Sequence, residues 1–261
     1  MNVGLIGRGF VGDALYKSFS KKSISIKSFD KYKKIGRFED ILDSHLLFLC
    51  LPTPFKEEVG FDMSSIEDVC LLLRKNNYTG LVIIKSTVDI GMTRLLAEKY
   101  LLNICHNPEF LTARTSYADF ESQKHIVLGK TKDSKEFDLL TLFYTKNYDD
   151  SKISVCSSEE SESMKLFLNC FYATKVQFFN ELFILCNKSN FNFDRIRNLM
   201  LLNGWINDMH TQVPGPDGQI SYGGACFPKD TEALRFFMTK LDVPNEVLSA
   251  VISERNKMRN D

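Results

Sequence analysis

Residues 7–12 read Gly-Arg-Gly-Phe-Val-Gly, directly behind the apolar run Val3-Gly4-Leu5-Ile6 and at the start of a helix-like stretch over 10–20. This placement constrains the chain more than any other feature. A strand that turns into a helix through three glycines so spaced predicts a dinucleotide-binding βαβ unit. The first glycine permits the tight turn, the second lets backbone approach a pyrophosphate, and the third allows close helix–strand packing. The helix N-terminus then offers its free N–H groups to the anion. Gly7, Gly9, Phe10, Val11 and Gly12 are therefore the candidate cofactor contacts. Asp30, 18 residues after Gly12, stands near the usual spacing for a carboxylate that binds the adenosine ribose. It would repel a 2′-phosphate, which favours NAD over NADP. Lys31, Lys33, Lys34 and Arg37 follow it; such charge runs are usually a solvated basic edge, with a phosphate contact as the alternative.

The rest of the first half agrees with that unit. Short apolar runs at 3–6, 23–29, 46–51, 81–85, 103–106 and 125–129 alternate with helix-like segments at 10–20, 63–75, 91–100 and 133–146. The run 46–51 has no polar alternation, as expected of a strand covered on both faces. The reading is an α/β fold, a Rossmann-type doubly wound parallel sheet over 1–155, followed by an all-helical domain over 156–261. Lys and Arg number 33 against 33 Asp and Glu, balanced in each half, so a nucleic-acid partner is not expected. Seven cysteines, none in a CxxC pair, speak against zinc ribbons and disulfide frameworks, and no metal site is expected. No run approaches a bilayer span, and the start shows no basic-then-apolar leader, so the expected location is cytoplasmic and away from membranes.

Beyond residue 155 the strand pattern gives way to helices. Ser157-x-x-Glu160 is a capping box opening a helix over 158–188. Its apolar residues Leu166, Phe167, Cys170, Phe171, Val176, Phe179, Leu182 and Phe183 surround most of its circumference, as in a core helix or one covered by a second subunit. Residues 203–228 read as a long ordered loop, and helices are expected over 231–240 and 245–258. Within the loop, Tyr222-Gly223-Gly224-Ala225-Cys226-Phe227-Pro228-Lys229-Asp230 sets Cys226 apart from the other six cysteines. A neighbouring ammonium and a helix start both favour thiolate, although a plain buried cysteine and an N-capping Asp230 would also fit. Beside an NAD site, a nucleophilic cysteine suits aldehyde oxidation through a thiohemiacetal and a thioester.

Five segments together resemble the UDP-glucose/GDP-mannose dehydrogenase family. They are the 7–12 turn, Pro52-Thr53-Pro54, Ser86-Thr87-Val88, Asn107-Pro108-Glu109-Phe110-Leu111, and the 223–230 segment, in family order and spread over nearly the whole chain. The resemblance implies NAD-dependent, four-electron oxidation of a nucleotide sugar at its C6 alcohol, UDP-glucose favoured. The product would be a uronic acid for polysaccharide biosynthesis. It implies Cys226 as nucleophile, Lys165 and Asn169 as donors to the developing oxyanion, and Glu109 as a carboxylate base. Asp230 with Thr87 would order the water, and Thr53, Thr87 and Lys229 would lie against the cofactor.

The sequence departs from the family in two ways. Ala113 and Arg114 stand where many members carry a glutamate and a glycine, and the third, C-terminal domain that closes over the nucleotide has no counterpart in these 261 residues. The charged end at 254–261 reads as a terminus or the beginning of a linker. The partners expected are a nucleotide sugar, a second copy joined through helix 158–188, and a separate chain completing the nucleotide pocket. Two rivals remain: a two-electron hydroxyacid-type dehydrogenase that needs no cysteine, and a catalytically silent NAD-binding scaffold.

Overall fold

A computed structural model describes residues 1–259; Asn260 and Asp261, the end of the charged tail, lie outside the described residues. The chain divides into two compact units, 1–54 with 61–165 and 55–60 with 166–261.

The first unit is built on a seven-stranded sheet. Its strands are β1 (Val3–Ile6), β2 (Ile26–Phe29), β3 (Leu46–Leu49), β6 (Leu81–Ile84), β7 (Asn103–His106), β8 (His125–Lys130) and β9 (Lys152–Ser157). The short strands β4 (Phe55–Lys56) and β5 (Gly60–Phe61) form a separate hairpin. Spatial order is β2-β1-β3-β6-β7-β8-β9. Every residue of β1, β3 and β6 is buried, which explains why these runs lack polar alternation. Helices α1 (Phe10–Lys21), α2 (Ser64–Lys75), α3 (Met92–Tyr100), α4 (Ser116–Glu121) and α5 (Lys135–Asn147) complete this unit. Rings of Phe19 and Phe48 lie 5.4 Å apart, and those of Phe19 and Phe143 5.1 Å. They belong to one continuous core with Phe120, Tyr144 and Tyr148.

The five strands β2, β1, β3, β6 and β7 are parallel and in matched register: Ile6 pairs with Phe29 and Leu49, Leu49 with Ile84, and Ile84 with His106. Their carboxyl ends therefore finish level. The segments that follow, beginning at Gly7, Asp30, Cys50, Lys85 and Asn107, all leave along one edge of the sheet. Strand order reverses at β1 and β3, the place where open α/β sheets bind ligands.

One expectation is refined and one element is added. The sheet is mixed, not wholly parallel, because β8 runs antiparallel to β7 while β9 is parallel to β8. An apolar buried strand reads the same in either direction, so its composition carries no sense of polarity. The segment 152–157 is a strand that the sequence reading does not contain; it has no fully buried residue and hence weak patterning.

The second unit is helical. Helix α6 (Ser158–Lys188) starts in the first unit and contributes most of its length here, followed by α7 (Phe193–Leu202), α8 (Phe227–Lys240) and α9 (Glu246–Met258). The capping box forms as expected: the Ser157 N–H donates to Glu160 Oε2 (2.8 Å) and the Glu160 N–H to Ser157 Oγ (3.2 Å). Helix α7, absent from the sequence reading, is capped by Asn192 Oδ1, which accepts from the Arg195 N–H at 2.9 Å. Helix α8 begins four residues earlier than expected. Pro228 is tolerated in a first turn, where its missing N–H has no helical partner to lose. Phe167, Phe171, Phe178 and Leu185 form an exposed apolar stripe along α6.

Candidate active site

The 7–12 turn has the local geometry that a pyrophosphate needs. Gly7 adopts φ +91°, and a Cβ there would lie 2.2 Å from the Cys50 carbonyl oxygen. A Cβ on Gly12 would meet the Gly7 carbonyl at 1.9 Å, while one on Gly9 would touch nothing within 4 Å. Thus two glycines are required by packing, and the third keeps the approach open. Gly9 caps α1 without a side-chain acceptor, which leaves the helix start for an anion. Phe10 is exposed and Val11 half-buried beside it.

Asp30 accepts the N–H of Arg8 on Oδ2 (2.8 Å), and those of Tyr32 (2.9 Å) and Lys33 (2.8 Å) on Oδ1. Burial pushes its carboxyl up, but the three N–H donors and the Lys33 ammonium overcome this and hold it below the usual range. A carboxylate has about four acceptor positions, so one remains for a ribose hydroxyl. Of the basic run, Lys33 donates to the Arg8 carbonyl and Arg37 pairs with Asp40 at 2.7 Å. The donor set and the open glycine fit a dinucleotide.

At the same sheet edge Thr53 Oγ1 donates to the Thr87 carbonyl (2.6 Å), and Ser86 Oγ to the Leu51 carbonyl (2.6 Å). These bonds stitch the loop after β3 to the loop after β6. Lys165, on the first turns of α6, donates to the Glu109 carbonyl at 2.6 Å and lies 3.3 Å from Glu109 Oε1. Glu109 Oε2 accepts from the Leu111 N–H at 2.6 Å. Both side chains are almost wholly buried. The ammonium thus already spans a carbonyl and a carboxylate, with a third hydrogen available to an oxyanion.

In the second unit Asp230 is fully buried and receives two donors: Asn169 Nδ2 on Oδ2 (2.6 Å) and Lys229 Nζ on Oδ1 (2.5 Å). Asn169 lies one turn beyond Lys165 on α6. Cys226 is the N-cap residue of α8 and offers no capping side-chain bond; it is half-buried. Asp230 belongs to the first turn of α8 and does not cap it, since its N–H donates to the Cys226 carbonyl at 3.0 Å. Gly224 has φ +79°, and a Cβ on Gly223 would fall 2.1 Å from the Arg259 guanidinium. Arg259 in turn pairs with Asp217 at 2.6 Å. His210, given no role from sequence, stacks on Tyr172 with ring centroids 4.6 Å apart and meets Phe227 edge-on at 5.6 Å.

Of the sequence candidates, Thr53 with Thr87 and Glu109 with Lys165 come together in the first unit. Asn169, Lys229 and Asp230 do so in the second, with Cys226 at the same helix start. Three buried titratable groups were missed. Lys85 ends β6. His106 ends β7, with Nδ1 2.8 Å from Ser161 Oγ, and burial drives its pKa down to about 3. Glu162, fully buried, accepts the N–H of Gly91 (2.6 Å) and of Thr93 (2.8 Å). Burial pushes its carboxyl up to about 7 even so. Among the described residues no helix is long and apolar enough to cross a membrane, and no group of His, Cys, Asp or Glu is arranged to hold a metal ion.

Fold and turn together define a Rossmann-type, NAD-binding class of protein with a helical second unit. Residues 36–147 match the UDP-glucose/GDP-mannose dehydrogenase family, NAD binding domain, and residues 159–257 match the central domain of the same family. The chain belongs to this family, and NAD is the dinucleotide that its first unit is built for. It is similar to UDP-glucose 6-dehydrogenase of Campylobacter jejuni, 32% identical over 226 residues, covering 85% of this chain and 55% of the relative. It is likewise similar to UDP-glucose 6-dehydrogenase of Rickettsia typhi, 28% identical over 298 residues, covering 99% and 67%. Its fold is that of a UDP-glucose dehydrogenase from Pyrobaculum islandicum, with TM-score 0.85, 21% identity, and coverage of 98% of this chain and 68% of that one. The chain therefore spans about half to two thirds of the length of these relatives.

Proposed function

We propose that the chain oxidises the C6 primary alcohol of a nucleotide sugar, UDP-glucose foremost, to the carboxylate. Balanced, one alcohol, one water and two NAD⁺ give one carboxylate, two NADH and three protons. The observation that carries this reading is Cys226 at the start of α8, on the helix whose buried Asp230 is held by both Asn169 and Lys229.

When bound, NAD supplies the hydride acceptor for both oxidations. The 7–12 turn and Asp30 would hold its pyrophosphate and ribose. Lys165 steadies the alkoxide and then the oxyanion, aided by Asn169. Cys226 adds as thiolate to the aldehyde carbon, forming the C–S bond of a thiohemiacetal; loss of hydride leaves a thioester, and water breaks that bond to release acid and thiol. Glu109 takes the water's proton, and Asp230 and Thr87 orient that water.

A homodimer through helix 158–188 is part of this reading, supported by the stripe Phe167, Phe171, Phe178 and Leu185, whose exposure suits burial against a second copy. A separate chain completing the nucleotide pocket is the remaining partner proposed, and the expected location is the cytoplasm.

The test is NADH formation against a panel of sugar nucleotides, counted per acid formed, for the wild type and Cys226→Ala. Two NADH per acid, lost in the variant, is the expected result. One NADH per product with full activity in Cys226→Ala would replace this reading with a hydroxyacid-type oxidation. Bound NAD without turnover would leave a silent NAD-binding protein.

A further inference from the structure

Lys85 is 2% exposed, at the carboxyl end of the all-apolar strand β6. Its ammonium donates to Asn107 Oδ1 (3.1 Å) and to the Pro108 carbonyl (3.3 Å), and it stands 5.7 Å from the Phe120 ring centroid. These hydrogen-bond acceptors are neutral oxygens. A buried cation so held is a poor device for stability alone, since apolar side chains of similar volume usually serve a core as well or better.

What the ammonium holds explains its presence. Asn107 is fixed by its own N–H to the Ile84 carbonyl (2.9 Å), by Nδ2 to the Val127 carbonyl (2.8 Å), and by the Tyr144 hydroxyl on Oδ1 (2.6 Å). Lys85 extends this anchorage by one residue, to the carbonyl of Pro108. The next carbonyl along the chain, that of Glu109, is taken by Lys165. Two consecutive carbonyls thus each receive an ammonium, from β6 and from α6. Between them they set where the Glu109 carboxylate stands relative to Lys165.

We propose that Lys85 is a positioning residue for the oxidation, acting through the 107–109 turn to hold Glu109 and Lys165 in their working arrangement. This rests on the reaction proposed above. The groups facing Lys85 are Glu109, which favours its charge, and Lys165, which opposes it. His106 is kept neutral by burial, and the thiols of Cys50 and Cys105 are both pushed far up by burial. Burial lowers the Lys85 pKa to about 8, so the grip on Pro108 weakens as the solution turns alkaline.

The experiment compares the full-length wild type with Lys85→Met and Lys85→Arg. It measures kcat and KM for NAD and for the sugar nucleotide from pH 6.5 to 9.5, per mole of folded protein, with melting temperatures in parallel. Displacement of catalytic groups by about 1 Å costs on the order of a hundredfold. Lys85→Met is therefore expected to lose about ten- to a hundredfold in kcat while KM for NAD stays within about twofold, because the glycine turn does not involve Lys85. Wild-type kcat should fall above about pH 8; that limb should vanish in Lys85→Met and move to higher pH in Lys85→Arg, which regains part of the rate. The melting temperature of Lys85→Met should equal or exceed that of the wild type.

Three results would overturn the proposal: an active wild type with Lys85→Met within twofold of its kcat, a loss of kcat that leaves the alkaline limb in place, or a loss accompanied by a lower melting temperature. A wild type that turns over none of the sugar nucleotides removes the underlying reaction instead, so the two failures are distinguishable.

Discussion

Asp30, beside the glycine turn, and Glu162, where α6 meets the start of α3, are both carboxylates given to backbone N–H groups, yet their acidities move in opposite directions. Asp30 has three such donors and the Lys33 ammonium, and stays more acidic than usual. Glu162 has two, sits where solvent does not reach, has Glu159 nearby, and is pushed up to about 7. Hydrogen bonds to the charged form win only while water still helps to solvate it. The first carboxylate is equipped to meet a ligand; the second is a joint inside the fold, tying the loop after Thr87 to the helix that carries Lys165.

The largest way to break this contrast is Glu162→Ala. It leaves the N–H groups of half-buried Gly91 and buried Thr93 without acceptors, at about 1–3 kcal/mol each. Denaturant titration near pH 4.5 should show a loss of about 2–6 kcal/mol; a loss below about 1 kcal/mol at that pH would mean that the carboxyl group does not secure α3.

The next is the pH dependence of that same difference. The folded-state pKa of Glu162, about 7, lies above its ordinary 4.5, so native protein keeps a proton that unfolded chain releases. The associated stability is complete below about pH 4.5 and is lost as pH rises through 7, an effect of about 3 kcal/mol. The gap between wild type and Glu162→Ala should accordingly narrow from pH 4.5 to 7.5, and parallel curves would refute it.

Asp30 should give the smallest effect, with the reverse sign. Its folded-state pKa lies below the ordinary 3.8, so its contribution is present above that value and lost as pH falls through the lower one. Asp30→Asn should cost about 1 kcal/mol at neutral pH, nothing in strong acid, and about tenfold in NAD affinity by calorimetry. Equal NAD affinity would show that the ribose does not use this carboxylate.

How far the sequence was legible follows from how local each feature is. The glycine turn, its strand and its helix are consecutive, and so are Cys226, Lys229 and Asp230; both segments could be read before any contact was known. Lys165 and Glu109, 56 positions apart, were joined only through the family resemblance. Lys85 carried one overlooked signal, a lysine closing an otherwise apolar buried strand, but its acceptors lie 22 and 23 positions away and no period in the sequence announces them. The antiparallel β8 was equally hidden, because strand direction is decided by neighbours and not by which residues are apolar.

Arg259 occupies the space that a side chain on Gly223 would fill. Any larger residue at 223 would therefore displace that guanidinium and disturb its pairing with Asp217, so residue 259 reaches, through one glycine, the segment that leads into Cys226.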